Sequence, residues 1–434
     1  MKAEFMRPGR VFVVLVLLGL TVRIWFVAAP SATALTFHSG GSDAPAYVLL
    51  AKNLVSHRGF SYAGQPSAFR PPGYPVLISG AMIISPRHWV LFVRWIQFFF
   101  GLATVLVCSL AALRLFDLES TKATCIAGIF LPTLIFPTAQ ILTECLAAML
   151  TAMFLLFLIQ QDETADRASA LGLGVTAGLE SLVRFNAAAL PLLAGWTIIK
   201  SNRKSFRVIR LLTALLVPVL IVAPWIVRNE IIFHGRVLFS TMDGAVAVQG
   251  VVTPEGRTQV KDGDRLLHTM GWTISQLETN SPERLSLPSE ADLNSNALKI
   301  VPGLWKALGW RSPLLLGKKV ADFWLSWDQL ADTKSFPLTE RLVRFGGVVC
   351  YWVVLGLAII GWFRLRKMRP SLASVLLIYA GGYTLLHLPL TMNTRLRIPL
   401  LEPLLAILAG AGWTSLMNWR TARRVYVPAE VRTT

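Results

Sequence analysis

Residues 11–29 read VFVVLVLLGLTVRIWFVAA. A bilayer core takes about 20 apolar residues of helix. This stretch meets that length with a single charge, Arg23, toward its far end. Comparable stretches recur at 89–113, 123–139, 144–160, 169–184, 186–200, 211–227, 345–363, 372–390 and 398–417. The fifth and sixth are short and are parted only by Arg184, Phe185 and Asn186, which reads as a tight or broken hairpin. The pattern predicts an all-α polytopic membrane protein with about ten transmembrane helices. Residues Met1 to Arg10 resemble the n-region of a signal peptide. The apolar run behind them is long for such a peptide and no small-residue cleavage site follows, so it is expected to stay as an anchor.

Composition agrees. Of the 434 residues 54% are apolar and 15% charged, with mean hydropathy +0.56. A disordered chain needs the opposite balance, and soluble proteins average about 25% charged residues. The formal charge is +18, from 42 Lys and Arg against 24 Asp and Glu. In a soluble protein that excess points to nucleic acid; here the positions of the charges decide. Lys2, Arg7, Arg10, Arg114, Lys122, Arg167, Lys200, Arg203, Lys204, Arg207, Arg210, Arg364, Arg366, Lys367, Arg369, Arg420, Arg423, Arg424 and Arg432 all fall on one side of a ten-span arrangement. The short loops of the other side hold Arg395 and Arg397, with Arg184 at a span boundary. By the positive-inside rule both termini are expected in the cytoplasm, most simply at a bacterial inner membrane. No nucleic-acid partner is expected, and membrane lipids are. Cys108, Cys125, Cys145 and Cys350 lie in or beside apolar stretches, with no zinc or disulfide spacing.

Three regions follow: an N-terminal transmembrane module (1–229), an outer subdomain (230–344), and C-terminal transmembrane helices with a basic tail (345–434). The first and fourth outer loops, about 30–88 and 228–344, are long, and long ordered loops usually carry function. The same parity places Asp43, Glu144, Arg184, Arg228, Asn229, Arg395 and Arg397 at one membrane face. Ionisable groups at membrane depth are costly and by default suggest function. Acids and arginines together suit an anionic, lipid-linked substrate. Each also has a plainer reading. Asp43 with Tyr47, Leu50, Ala51 and Leu54 forms a helical face, and spacing alone favours a helix cap for it. The arginines could snorkel to the interface, Arg23 among them. Glu402 is expected to pair with one of these arginines. Asp262-Gly263-Asp264 has the look of an acidic metal motif but reads first as a surface turn. There is no Walker loop, HExxH or GxSxG elbow.

The ordered set of motifs resembles a family. Asp43-Ala-Pro-Ala-Tyr47, then Gly59-Phe60-Ser61, then Ala68-Phe69-Arg70-Pro71-Pro72-Gly73-Tyr74-Pro75 is similar to the first outer loop of GT-C glycosyltransferases. The branch is that of the protein O-mannosyltransferases and the lipid A aminoarabinose transferase. Gln140 to Glu144, Leu182-Val183-Arg184, Pro224-Trp225 to Arg228-Asn229, Lys318 to Trp324 and Arg395-Leu396-Arg397-Ile398-Pro399 resemble its later motifs, so the likeness runs from about 8 to 415. It implies an inverting transferase that moves a sugar from a polyprenyl-phosphate donor to a hydroxyl on a lipid, glycan or protein, at the outer face. It implies Asp43 as general base with Glu144 as the second catalytic acid. Arg228, Arg395 and Arg397 would bind the donor phosphate, and Tyr47, Arg70, Tyr74, Arg184 and Asn229 would line the pocket. No cofactor is implied and no metal is required. Many relatives carry a second acid directly after the first-loop aspartate; here it is Ala44, so metal use and acceptor type do not carry over. Two other readings stand beside this one. A transporter or flippase of a lipid-linked anion would also want such arginines, but needs no general base and often shows inverted repeats; none is visible. A glycan polymerase or ligase would use a diphosphate-linked donor.

Overall fold

The computed structural model describes residues 9–28, 43–62, 64–201, 206–251, 290–326 and 338–425. Helices stand at all ten expected positions. These are α1 (Arg10–Ala28), α4 (Trp89–Leu115), α5 (Leu118–Phe130) with α6 (Pro132–Ile135), α7 (Glu144–Thr164), α8 (Arg167–Val183), α9 (Leu190–Lys200), α10 (Arg207–Phe233), α14 (Leu338–Met368), α15 (Pro370–His387) and α16 (Thr394–Val425). Outside them lie α2 (Ala44–Val55), a two-stranded ribbon of β1 (Ser61–Tyr62) and β2 (Gln65–Pro66), α3 (Gly73–Ile84), α11 (Asp243–Val251), α12 (Glu290–Leu308) and α13 (Ser312–Leu325). The chain is an all-α polytopic membrane protein, yet among the described residues fewer than ten helices are full spans. Six are long and apolar enough to cross, or seven if the bent pair α5–α6 is one span. The shortfall has physical reasons. Helix α8 has 17 residues, about 26 Å of rise, and α9 has 11. Tyr379, Tyr383 and His387 dilute the apolar run of α15.

The expected third span is bent by 64°. Leu131 precedes Pro132 and takes an extended conformation, φ −63° and ψ 113°, as the ring of a following proline demands. A break at membrane depth exposes carbonyls that lipid cannot satisfy. Arg23 satisfies them: from α1 its guanidinium donates to Gly128 O (2.8 Å), Ile129 O (3.1 Å) and Leu134 O (3.2 Å). The snorkelling expected of Arg23 is therefore corrected. Its side chain is fully buried because three uncapped carbonyls compete better for it than the headgroups do.

Helices α7 and α16 are the most enclosed, while α1, α10 and α14 show apolar outer faces such as Val11, Leu17, Val219, Leu220 and Ile359. The core between them is Phe154, Leu155, Leu158, Leu173, Ala177, Tyr351, Leu401 and Leu404. At one end of the bundle sit Arg114–Glu163 (3.1 Å), Arg369–Glu163 (2.9 Å) and Arg364–Asp117 (2.7 Å). These residues all belong to the basic side that parity predicts. The opposite end carries the outer elements. There α11 packs against α12 through Ala245, Val248, Val251, Ala297 and Leu304. The Lys319 ammonium of α13 donates to Leu388 O (2.9 Å) and Leu390 O (2.7 Å), clamping α13 to the end of α15. Asp262-Gly263-Asp264 lies outside the described residues.

Candidate active site

Asp43 stands at the N-cap position of α2, but its side chain makes no cap hydrogen bond. The plain helix-cap reading is thus corrected, because two guanidiniums hold the carboxylate instead. Arg70 Nη2 lies 2.5 Å from Oδ1 and Arg395 Nη1 2.7 Å from Oδ2. The same Arg395 turns its Nε to Glu144 Oε1 at 2.5 Å. Arg184 Nη1 stands 3.8 Å from that oxygen. One arginine at the start of α16 therefore joins two acids from separate elements. Glu144 is placed by the break before it: α7 begins there, and a carboxylate in a first helical turn is favoured by the dipole.

Aromatic and amide groups frame the cluster. Arg70 lies over the rings of Tyr47 (5.3 Å) and Phe69 (4.8 Å). Tyr47 meets Tyr74 edge to face, 5.2 Å between centroids. The Tyr74 hydroxyl donates to Gln97 Oε1 (2.5 Å), and Gln97 Nε2 donates to Thr138 O (3.1 Å) and Gln140 O (2.6 Å). Gln97 thereby ties the broken segment to the first outer loop. Sequence reading passed over it, although a glutamine inside the apolar run 89–113 was a visible signal. Glu180, buried in α8 and accepting from Thr151 Oγ1 at 2.7 Å, was missed in the same way.

Burial alone would raise the Asp43 carboxyl; Arg70 and Arg395 outweigh it and hold the group below the usual carboxylate range. Burial opposes the charge of Arg70, but Asp43 and Tyr47 together outweigh it and keep the guanidinium charged. The two acids differ in access. The Asp43 side chain is 26% exposed and that of Glu144 2%. Among the described residues, Arg184 Nη1, Arg70 Nε and Glu144 Oε2 are buried without a hydrogen-bond partner. Buried polar atoms are nearly always satisfied, so these three atoms mark the cluster as a candidate site.

The structure brings together Asp43, Tyr47, Arg70, Tyr74, Glu144, Arg184 and Arg395. It places the other expected residues elsewhere. Arg228 donates to Ser67 O (2.7 Å) and Phe60 O (2.9 Å), and Asn229 to Leu238 O (3.2 Å), so both pin loops at the exit of α10. Arg397 is fully buried, over the Tyr351 ring at 3.6 Å and 3.1 Å from Glu402 Oε1. It also donates to Phe323 O and to Ser326 Oγ. Glu402 does pair with one of these arginines, and Thr133 also donates to it.

No family model and no curated protein sequence matches the chain. Solved structures do. The oligosaccharyltransferase AglB of Archaeoglobus fulgidus, in complex with an inhibitory peptide and a dolichol-phosphate, aligns with a TM-score of 0.54 at 13% identity, over 98% of this chain and 52% of its own. The apo form of the oligosaccharyltransferase from that organism gives 0.55 at 14% identity, over 100% and 53%. The chain has the GT-C fold. It spans about half the length of those two transferases. A looser likeness, 0.43 at 18% identity over 94% of this chain and 78% of the other, is to ArnT from Cupriavidus metallidurans bound to undecaprenyl phosphate. In this chain the outer-loop aspartate, the acid opening α7 and the arginine opening α16 meet at one end of the bundle.

Proposed function

We propose that the protein is an inverting glycosyltransferase that moves a sugar from a polyprenyl-phosphate donor to an acceptor hydroxyl at the outer face of the membrane. The observation that carries this is Arg395, one guanidinium shared between Asp43 and Glu144. A base must meet the acceptor, and Asp43 is the accessible acid of the pair. Each of its oxygens retains a lone pair beside the one facing an arginine. In the proposed step, Asp43 takes the acceptor O–H proton. The freed oxygen pair forms the new bond to the anomeric carbon on the side opposite the phosphate. The old carbon–oxygen bond breaks, and its pair leaves with polyprenyl phosphate. Charge thus grows on the phosphate, where preorganised donors have most effect. In this proposal Arg395 and Arg184 take that role, with Arg70 as a third donor. Arginine forks match phosphate oxygens.

Glu144, enclosed and bound to Arg395, orients that guanidinium rather than meeting the acceptor. Arg228 and Arg397 act in this proposal as supports of the loop and of α16. The scheme uses no metal ion. The GT-C fold supports the reading, as does a lipid phosphate in the AglB complex.

The test is a transfer assay in nanodiscs with a panel of polyprenyl-phosphate and polyprenyl-diphosphate sugars, reading the anomer of the product. Release of polyprenyl phosphate with inversion is expected. Turnover with diphosphate donors alone would replace this donor class by that of a polymerase or ligase. Movement of intact donor across the bilayer without release would replace the transferase by a flippase.

A further inference from the structure

Glu290, the first residue of α12, belongs to none of the motifs above. Its Oε2 accepts from Ser67 Oγ (3.1 Å), the Ala68 amide (3.1 Å) and Thr241 Oγ1 (3.0 Å). The same short stretch of the first outer loop is held from other directions. Ser67 O receives Arg228 Nη1 at 2.7 Å, Ala68 O receives the Thr241 amide at 3.1 Å, and Ser67 Oγ accepts from the Phe69 amide at 3.1 Å. Ser67 and Ala68 are fully buried. The next side chains along are Phe69 and Arg70, whose guanidinium rests on the Phe69 ring and reaches Asp43. The direction in which Arg70 leaves the backbone is therefore set by the stretch that Glu290 grips.

The grip fits a carboxylate. One oxygen accepts three donors, which an anion does better than an amide. The Arg228 guanidinium, which donates to Ser67 O, also attracts Glu290 electrostatically. Glu290 also sits on the helix that packs against α11, and α11 in turn meets the end of α15 where the Thr391 amide donates to Val246 O (3.2 Å). A shift of the outer helices then reaches the first loop through Glu290, beside the Thr241 amide and the packing of Met242 and Ala291 on that loop.

Building on the transferase reading, we propose that Glu290 is a positioning residue for transfer. It couples the seating of the outer helix pair α11–α12 to the placement of Arg70 against Asp43.

The experiment compares wild type with Glu290→Ala, Glu290→Gln, Arg70→Ala and the Glu290→Ala/Arg70→Ala double variant, as full chains in nanodiscs. It reads kcat and KM for transfer, and amide hydrogen exchange across residues 60–75. For Glu290→Ala we expect kcat to fall about 10- to 100-fold with faster exchange in 60–75 and unchanged exchange in α7 and α16, and in the Arg70→Ala background we expect less than about a threefold further effect. Glu290→Gln, which keeps an acceptor oxygen, should fall between wild type and alanine. Effects that multiply in the double variant, or unchanged exchange in 60–75, overturn the coupling. If Arg70→Ala leaves transfer untouched while Glu290→Ala still speeds exchange there, the grip stands and the catalytic reading of Arg70 fails. If Glu290→Ala does not fold, Thr241→Val removes one of the three donors and is read in the same way.

Discussion

At the residue scale the account rests on how charges share partners. Asp43 is held below the usual carboxylate range by Arg70 and Arg395 against the opposing effect of burial. A depressed carboxyl pKa keeps the base ionised through neutral pH, so the acid limb of kcat/KM should lie below the ordinary carboxylate range. Arg70→Ala removes one of the two cations and should move that limb upward; a pH–rate profile of the variant reads the shift. The same depression means that stability from this cluster is present above the ordinary carboxylate pKa and lost as pH falls through the lowered one. Arg395 is more demanding than Arg70, because its Nη1 and Nε serve different acids. Arg395→Lys offers a point charge in place of a fork, so transfer should drop by about 100-fold or more even though the charge is kept. A lysine variant with wild-type turnover would show that charge alone suffices. Asp43 and Arg395 were legible in the sequence because alternating spans send them to one face. Their pairing was not legible. Spacing alone favoured a cap at Asp43 and left snorkelling open for Arg395, since partners 352 positions apart leave no local signal.

At the element scale, two features decide whether the bundle holds its shape. The first is the break at Leu131–Pro132, capped by Arg23. Replacing Arg23 by leucine leaves three buried carbonyls unsatisfied, at about 1–3 kcal/mol each. Arg23→Leu should therefore lower the Tm in detergent by several degrees and disturb Glu144, which opens the helix after the break. The second is the crossing of α14 and α16. A Cβ on Gly361 would come within 1.9 Å of Leu408 O, and one on Gly412 within 1.9 Å of Leu357 O. Backbones this close tolerate only glycine, in the manner of small residues at membrane helix crossings. Gly412→Val should push α14 from α16 and reduce yield of folded protein, measurable by size exclusion; an unchanged Tm would contradict this. The apolar runs were plain in the sequence. The cap was not: Arg23 and Ile129 are 106 residues apart, and the charge read as an interfacial one.

At the scale of the whole molecule, hydropathy gave the all-α polytopic class and the two-ended distribution of charge. It counted ten spans, where six or seven helices of full length and apolarity occur among the described residues. The difference lies in α8, α9 and α15, whose lengths and polar residues a window of apolar composition blurs. The motifs resembling GT-C enzymes pointed to the fold that the AglB structures share. They did not separate arginines at the acids from arginines that brace the scaffold, because Arg397 sits in the same motif as Arg395 and Arg228 in another motif of the same ordered set. That distinction needed the packing of α10 on the first loop and of α16 on Tyr351.

The central claim is that Asp43 is the base of a sugar transfer. The most direct measurement compares wild type and Asp43→Asn in nanodiscs with one active polyprenyl-phosphate sugar, reading donor binding and polyprenyl-phosphate release together. The account predicts that the variant binds donor within about threefold of wild type while release falls by about 1,000-fold or more, since an amide cannot accept the proton. Release at the wild-type rate in Asp43→Asn would contradict it.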